Sequence, residues 1–165
     1  MTDEKDALGG FFKKVGSIAR DIQEGYKRLN SITGDEVFEK LDNLQIKRAQ
    51  YTDEKKVEKI IFDQLDILYK DKVHRQYNIQ GFLGLKCDLD IGDGQVGIEL
   101  KLANQLSTTN IERLLGQVLY YSKRTYKDNL IVIVVGLEKE YDQKVRELKN
   151  IIEEQKVKFY YLTVL

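Results

Sequence analysis

Proline is absent from the 165 residues, although average usage of about 5% would place roughly eight in such a chain. Pro-rich linkers and cis-proline turns are therefore excluded. Cysteine occurs once, as Cys87, which excludes an intrachain disulfide and a thiolate metal cluster. Histidine also occurs once, as His74, so zinc sites built on several imidazoles and H-E-x-x-H hydrolases fall away. Any metal must then be held mainly by carboxylates, a donor set that suits magnesium or manganese. The longest apolar run, residues 130–135, is far shorter than a membrane span. The acidic start, MTDEKDA, lacks the basic-then-apolar pattern of a secretory leader. A soluble cytoplasmic protein is expected. Neither sign of charge is in excess, with 27 Lys plus Arg against 27 Asp plus Glu. That argues against a polybasic binder acting through its overall field, but leaves room for a locally basic cleft.

What is present suits a globular domain. Hydrophobic residues make up 42% of the chain, enough to bury a core over one domain with a small appendage. Residues 1–50 read as a helical N-terminal extension. Phe11, Val15, Ile18, Ile22, Tyr26 and Leu29 recur at helical spacing. Gly16 and Gly25 weaken that helix, so it is expected to pack against something, as an arm for a homodimer or a larger complex. Asp21 and Glu24 dilute its basic face, which argues against a membrane-surface role. A second helix starts at Thr33, where Thr33 and Glu36 have the spacing of a capping box.

Residues 51–165 alternate helix and strand. A helix is expected from a Thr52 cap to about Tyr69, on the stripe Val57, Ile61, Leu65, Leu68. Strands follow at 73–79, 85–91 and 96–102, the last two joined by Gly92-Asp93-Gly94, a tight-hairpin signal. Thr109 and Glu112 mark another capping box, opening a helix to about Tyr126. The apolar run at 130–136 reads as a strand covered on both faces. A helix at 139–155 and a strand at 157–164 close the order. The whole is an α/β fold of the form αβββαβαβ.

With Asp93-Gly94 as the turn, Asp88 falls opposite Glu99 and Asp90 opposite Gly97. Alternation then puts Asp88, Asp90, Glu99 and Lys101 on one side of the hairpin. Cys87, Leu89, Ile91, Ile98, Leu100 and Leu102 supply the apolar side. Two acids facing each other across strands repel, and a divalent cation between them reverses the sign. Lys101 adds an ammonium on the same face. That set suits metal-assisted phosphodiester hydrolysis. The bland alternative is a solvent-facing strand side whose acids and lysines merely alternate.

The string CDLDIGDGQVGIELK resembles the PD-(D/E)XK nuclease superfamily, in which an Asp on one strand precedes an acid-x-Lys triplet on the next. Here Asp88 matches the first acid and Glu99-Leu100-Lys101 the triplet, with Cys87 where the family name has proline. The helix-strand order from residue 51 is similar to that superfamily's core. In ERLLGQVLYYSK, Gln117 and Tyr121 resemble the Q-x-x-x-Y helix of RecB-like members. The resemblance implies a restriction-endonuclease-like mixed sheet and a magnesium- or manganese-dependent nuclease, acting on DNA in the first instance.

It further implies that Asp88 and Glu99 hold the metal with help from a helix acid. Glu58 is the first choice for that acid and Glu54 the alternative; Asp90 is the alternative to Asp88. Lys101 would activate water, and Gln117 and Tyr121 would position the strand. Lys123 and Arg124, near the end of the same helix, would line a phosphate track or simply be a solvated helix end. Either His74 or Gln76 is a candidate for touching phosphate. The rival expectation is a catalytically silent module of the same fold, acting in nucleic-acid binding or assembly.

Overall fold

The computed structural model describes residues 16, 17, 19, 20, 31–79 and 84–165. The chain divides into two compact units, Met1–Ser31 and Ile32–Leu165. In the first, Gly16, Ser17, Ala19 and Arg20 are helical, and Arg20 Nε donates to the Gly16 carbonyl at 3.3 Å. The amphipathic stripe expected there lies outside the described residues.

The second unit runs α1 (Gly34–Lys40), α2 (Glu54–Tyr69), β1 (Val73–Asn78), β2 (Lys86–Ile91), β3 (Val96–Leu102), α3 (Thr108–Tyr121), β4 (Leu130–Gly136), α4 (Gln143–Glu154) and β5 (Lys158–Thr163). The five strands form one sheet in sequence order. β1, β2 and β3 are antiparallel neighbours, whereas β3, β4 and β5 run parallel. The sheet is thus mixed, with an antiparallel meander feeding two crossover connections. Among the described residues no helix is long and apolar enough to cross a membrane.

Helices cover both faces. On one, Leu89, Ile91, Ile98, Leu100, Ile131 and Ile133 pack against Val37 of α1 and Val57, Ile61 and Leu65 of α2. On the other, Leu130, Val132, Val134 and Phe159 meet Leu114 and Val118 of α3 and Val145, Leu148 and Ile152 of α4. β4 is buried along its whole length, which is why its sequence is an unbroken apolar run rather than an alternation.

Residues 32–50 belong to this unit. Ile32, Val37, Leu41, Leu44 and Ile46 are all buried in the first core, and the Leu165 amide donates to the Ile46 carbonyl. The boundary expected after residue 50 therefore falls inside a continuous core, and the compact unit begins at Ile32.

Caps differ in detail from expectation. Thr33 does cap α1, accepting from the Glu36 amide. For α2 the cap is Asp53, which accepts from the Lys56 amide, not Thr52. For α3 it is Ser107, which accepts from the Asn110 amide, not Thr109. In both cases a neighbouring hydroxyl or carboxylate satisfies the same first-turn donors from a slightly different register.

The candidate active-site pocket

The β2–β3 register sets the geometry. Ile91 pairs with Val96, Asp90 with Gly97 and Leu89 with Ile98, so Asp90 and Gly97 stand opposite as the hairpin arithmetic requires. The paired residues nearest the turn are Ile91 and Val96, which leaves residues 92–95 between them, and Gly92, Asp93 and Gly94 all have positive φ. The Asp90 carboxylate supports it, accepting from the Gly94 amide at 3.0 Å through Oδ1 and 2.9 Å through Oδ2.

Beyond Leu89 the ladder changes. The Leu100 amide donates not to a strand carbonyl but to Asp88 Oδ2, at 2.8 Å. On the other side of β2 the register passes from Arg75–Leu89 to Tyr77–Cys87 with no Gln76–Asp88 pair, and Gln76 sits at φ 51°. This local break overturns the simple alternation at Cys87. Its side chain is buried with Tyr121 and Tyr126 in the second core, not with Leu89 and Ile91. Its thiol donates to the Leu89 and Ile98 carbonyls. Burial, with Glu99 and Asp88 nearby, pushes that thiol well above its ordinary range, so it is inert.

At the break lies a polar pocket of about 370 Å³, whose lining includes Glu54, Asp88, Glu99 and Lys101, together with Gln117 and Tyr121 of α3. Lys101 is the hub. Its ammonium lies 3.4 Å from Glu54, 3.7 Å from Asp88 and 3.3 Å from Glu99, and donates to the Leu100 carbonyl at 2.6 Å. Glu99 is only 1% exposed. Its Oε1 accepts from Lys101, but its Oε2 is buried with no hydrogen-bond partner among the described residues. Burial first, then repulsion from Asp88, pushes Glu99 up to about 8. Burial also raises Glu54, against the pull of Lys101. For Lys101, burial pulls the ammonium down, but Glu99, Asp88 and Glu54 together outweigh it and raise it.

The helix acid that reaches the pocket is Glu54, in the first turn of α2. Glu58, one turn on, is buried but committed elsewhere: Arg75 Nε donates to it at 2.7 Å and Gln76 Nε2 at 2.9 Å. It is not among the pocket-lining residues. Gln76 does line the pocket, and also donates to Asp88 Oδ1 at 3.3 Å. Its left-handed backbone lets it join Arg75 at Glu58 although the two are sequence neighbours. Asp90 is drawn away from the pocket by Gly94 and by the Tyr126 hydroxyl, which donates to Oδ2 at 2.9 Å.

On α3, Gln117 and Tyr121 face the pocket together. Tyr121 donates to the Lys86 carbonyl at 2.9 Å, and Gln117 Nε2 lies 3.5 Å from the Tyr121 hydroxyl. Gln117 Oε1 is buried without a partner among the described residues. Lys123 and Arg124 are not brought to the pocket. They sit exposed in a π-helical turn, Ser122–Tyr126, which carries Tyr126 into the core instead.

His74 lies 3.0 Å from Asp93, and with Asp90 these offer ligand atoms within 4.8 Å of one another. Asp90 is already bound by Gly94 and Tyr126, so the group is accounted for by the hairpin turn. Sequence reasoning did not find Arg113, Asn110, Gln105 or Lys86 in the pocket lining. The signal was available for Arg113, which precedes Gln117 and Tyr121 by four and eight residues and so shares their helix face.

Compared with family models, curated proteins and solved structures, the chain matches none.

Proposed function

We propose that this pocket hydrolyses phosphodiester bonds in nucleic acid, DNA in the first instance, with a divalent cation held by Asp88, Glu99 and Glu54. The observation that carries the reading is the buried, unpartnered Oε2 of Glu99, facing a pocket that holds two further carboxylates. An orphaned carboxylate oxygen costs roughly 1–3 kcal/mol or more, and a hard cation is the ligand that such an oxygen-only donor set accepts. The donors therefore fit magnesium or manganese. When bound there, such an ion supplies Lewis acidity that lowers the pKa of water and offsets phosphate charge.

The chain's own residues have the remaining roles. Asp88 is fixed by the Leu100 amide and Gln76, so its carboxylate is pre-aimed before any ligand arrives. Lys101 presents a proton-bearing ammonium within reach of all three acids. In this reading it orients the attacking water and stabilises charge that builds on the phosphate oxygens. Gln117, oriented by Tyr121, offers an amide to the substrate strand. The mixed sheet, the helices on both faces and the Asp88, Glu99-x-Lys101 geometry support a restriction-endonuclease-like fold of the PD-(D/E)XK type.

The test is cleavage of linear, circular, single-stranded and branched DNA with magnesium or manganese, alongside Lys101→Ala prepared in parallel. Metal-dependent cutting by the wild type and none by the variant supports the proposal. Equal cutting by both, or no cutting on any substrate, refutes it.

A further inference from the structure

The pocket holds more cationic charge than its acids use. Lys101 is fully engaged by Glu54, Asp88, Glu99 and the Leu100 carbonyl. Arg113 and Lys86 line the same pocket, yet neither side-chain cation has an ion-pair or hydrogen-bond partner among the described residues. On α3, Arg113 stands one turn before Gln117 and two before Tyr121, so the three form a row along the pocket wall. Lys86 is tied into that wall from the strand side, because its carbonyl accepts the Tyr121 hydroxyl.

We infer that Arg113 and Lys86 form a two-sided phosphate clamp, which grips the nucleic-acid backbone beside the bond held at Asp88, Glu99 and Lys101. The inference rests on the hydrolase reading for the identity of the strand. Its physical content is separate: a row of donors leading away from an acidic centre. One helical turn, about 6 Å along α3, separates Arg113 from Gln117, on the order of one nucleotide step. The strand therefore runs along α3 toward its N-terminal end, with Gln117 near the reacting phosphate and Arg113 at the next one. The planar guanidinium fork suits two phosphate oxygens at once, which an ammonium does not match. Gln117 Oε1, buried and unpartnered in the same row, is the independent sign that this wall is built for a ligand. It is an acceptor, so its partner is a base N–H of the strand, or a 2′-hydroxyl where the strand is RNA, rather than a phosphate oxygen. The phosphate contacts of Arg113 and Lys86 position the strand and carry no base preference.

The experiment measures binding of labelled single-stranded and duplex DNA, and of RNA of the same sequence, with calcium in place of magnesium, over a series of salt concentrations. Wild type, Arg113→Gln, Lys86→Gln, Arg113→Lys and a control on α4 outside the pocket lining, Lys149→Gln, are compared. Arg113→Gln is expected to weaken binding several-fold at low salt, equally across sequences. It should also flatten the salt dependence by about 0.7 on single strands or 0.9 on duplex, the loss of one phosphate contact. Lys86→Gln should do the same, and the double variant should lose two contacts. Arg113→Lys should recover the salt slope but not the full affinity, since it keeps charge and loses the fork. Lys149→Gln should match the wild type. Unchanged affinity and slope in both Gln variants overturns the clamp, as does a wild type that binds none of the strands. Cleavage by the wild type with magnesium or manganese is read separately and decides the hydrolase reading, so the two can fail independently.

Discussion

The backbone amide of Leu100 donates to the side chain of Asp88, at 2.8 Å, where a strand carbonyl would otherwise accept it. One carboxylate thereby ends the β2–β3 ladder after Leu89–Ile98 and opens the sheet into the floor of a pocket. The same contact fixes Asp88 beside Lys101 and faces it toward Glu99. Replacing Asp88 should separate these two roles. Asp88→Asn keeps an acceptor for Leu100 and should fold normally while losing metal affinity. Asp88→Ala leaves a buried amide unpaired, which costs about 1–3 kcal/mol. Thermal melts should show the Ala variant, and not the Asn variant, several degrees below wild type.

Lys101 occupies the centre of the three acids. Lys101→Met should abolish cleavage yet bind manganese at least as tightly as wild type, because the ammonium no longer competes for Glu54, Asp88 and Glu99. Calorimetric titration with manganese checks this. A large loss of affinity in Lys101→Met would instead mean that the ammonium holds the acids in place.

Glu54 and Glu58 differ by one turn of α2 and should behave oppositely. Glu54→Gln should weaken manganese binding about tenfold or more, with little change in stability. Glu58→Gln should leave metal affinity within about twofold. It should lower stability by roughly 1.5–3 kcal/mol, the range for a hydrogen bond to a charged partner, since Arg75 loses its buried counter-charge. Metal titration and denaturant melts on the two variants decide the assignment.

Glu99 makes stability depend on pH. Burial raises its folded pKa to about 8, whereas an unfolded Glu titrates near 4.3. The folded chain therefore binds more protons than the unfolded one between those values. The contribution of Glu99 to metal-free stability should be largest at the acid end of that window, fall as pH rises through it, and level off above about pH 8. Glu99→Gln removes this slope and should melt above wild type at pH 8, each ~1 kcal/mol being worth about 2–4 °C in a domain of this size. Added manganese should reverse the trend, since it binds the ionised carboxylate and its affinity rises with pH up to about 8.

Period and turn signals in the sequence were enough to place β3 and β4 and the alternation of helices and strands from α2 onward. Those elements rest on local pattern: Leu130–Gly136 is apolar throughout because both its faces are covered. The Asp90–Gly97 register was also legible, because a hairpin with a defined turn admits one alignment. The faces of Cys87 and Gln76 were not. Both depend on the Asp88–Leu100 contact and on a left-handed Gln76, which no two-residue period encodes. The resemblance puts Glu58 ahead of Glu54, and it carries no information about Arg75, which comes from another element and engages Glu58. The helix at 33–40 was read as part of an appendage. Leu44 and Ile46, which follow it, bring that segment back into the core.

Direct titration of metal-free protein with manganese at pH 8, followed by electron paramagnetic resonance, tests the central claim. The account requires a bound ion in the wild type and at least a tenfold loss of affinity in Glu99→Gln with its fold intact. A wild type that binds no manganese, or a Glu99→Gln variant that binds it equally well, would contradict it.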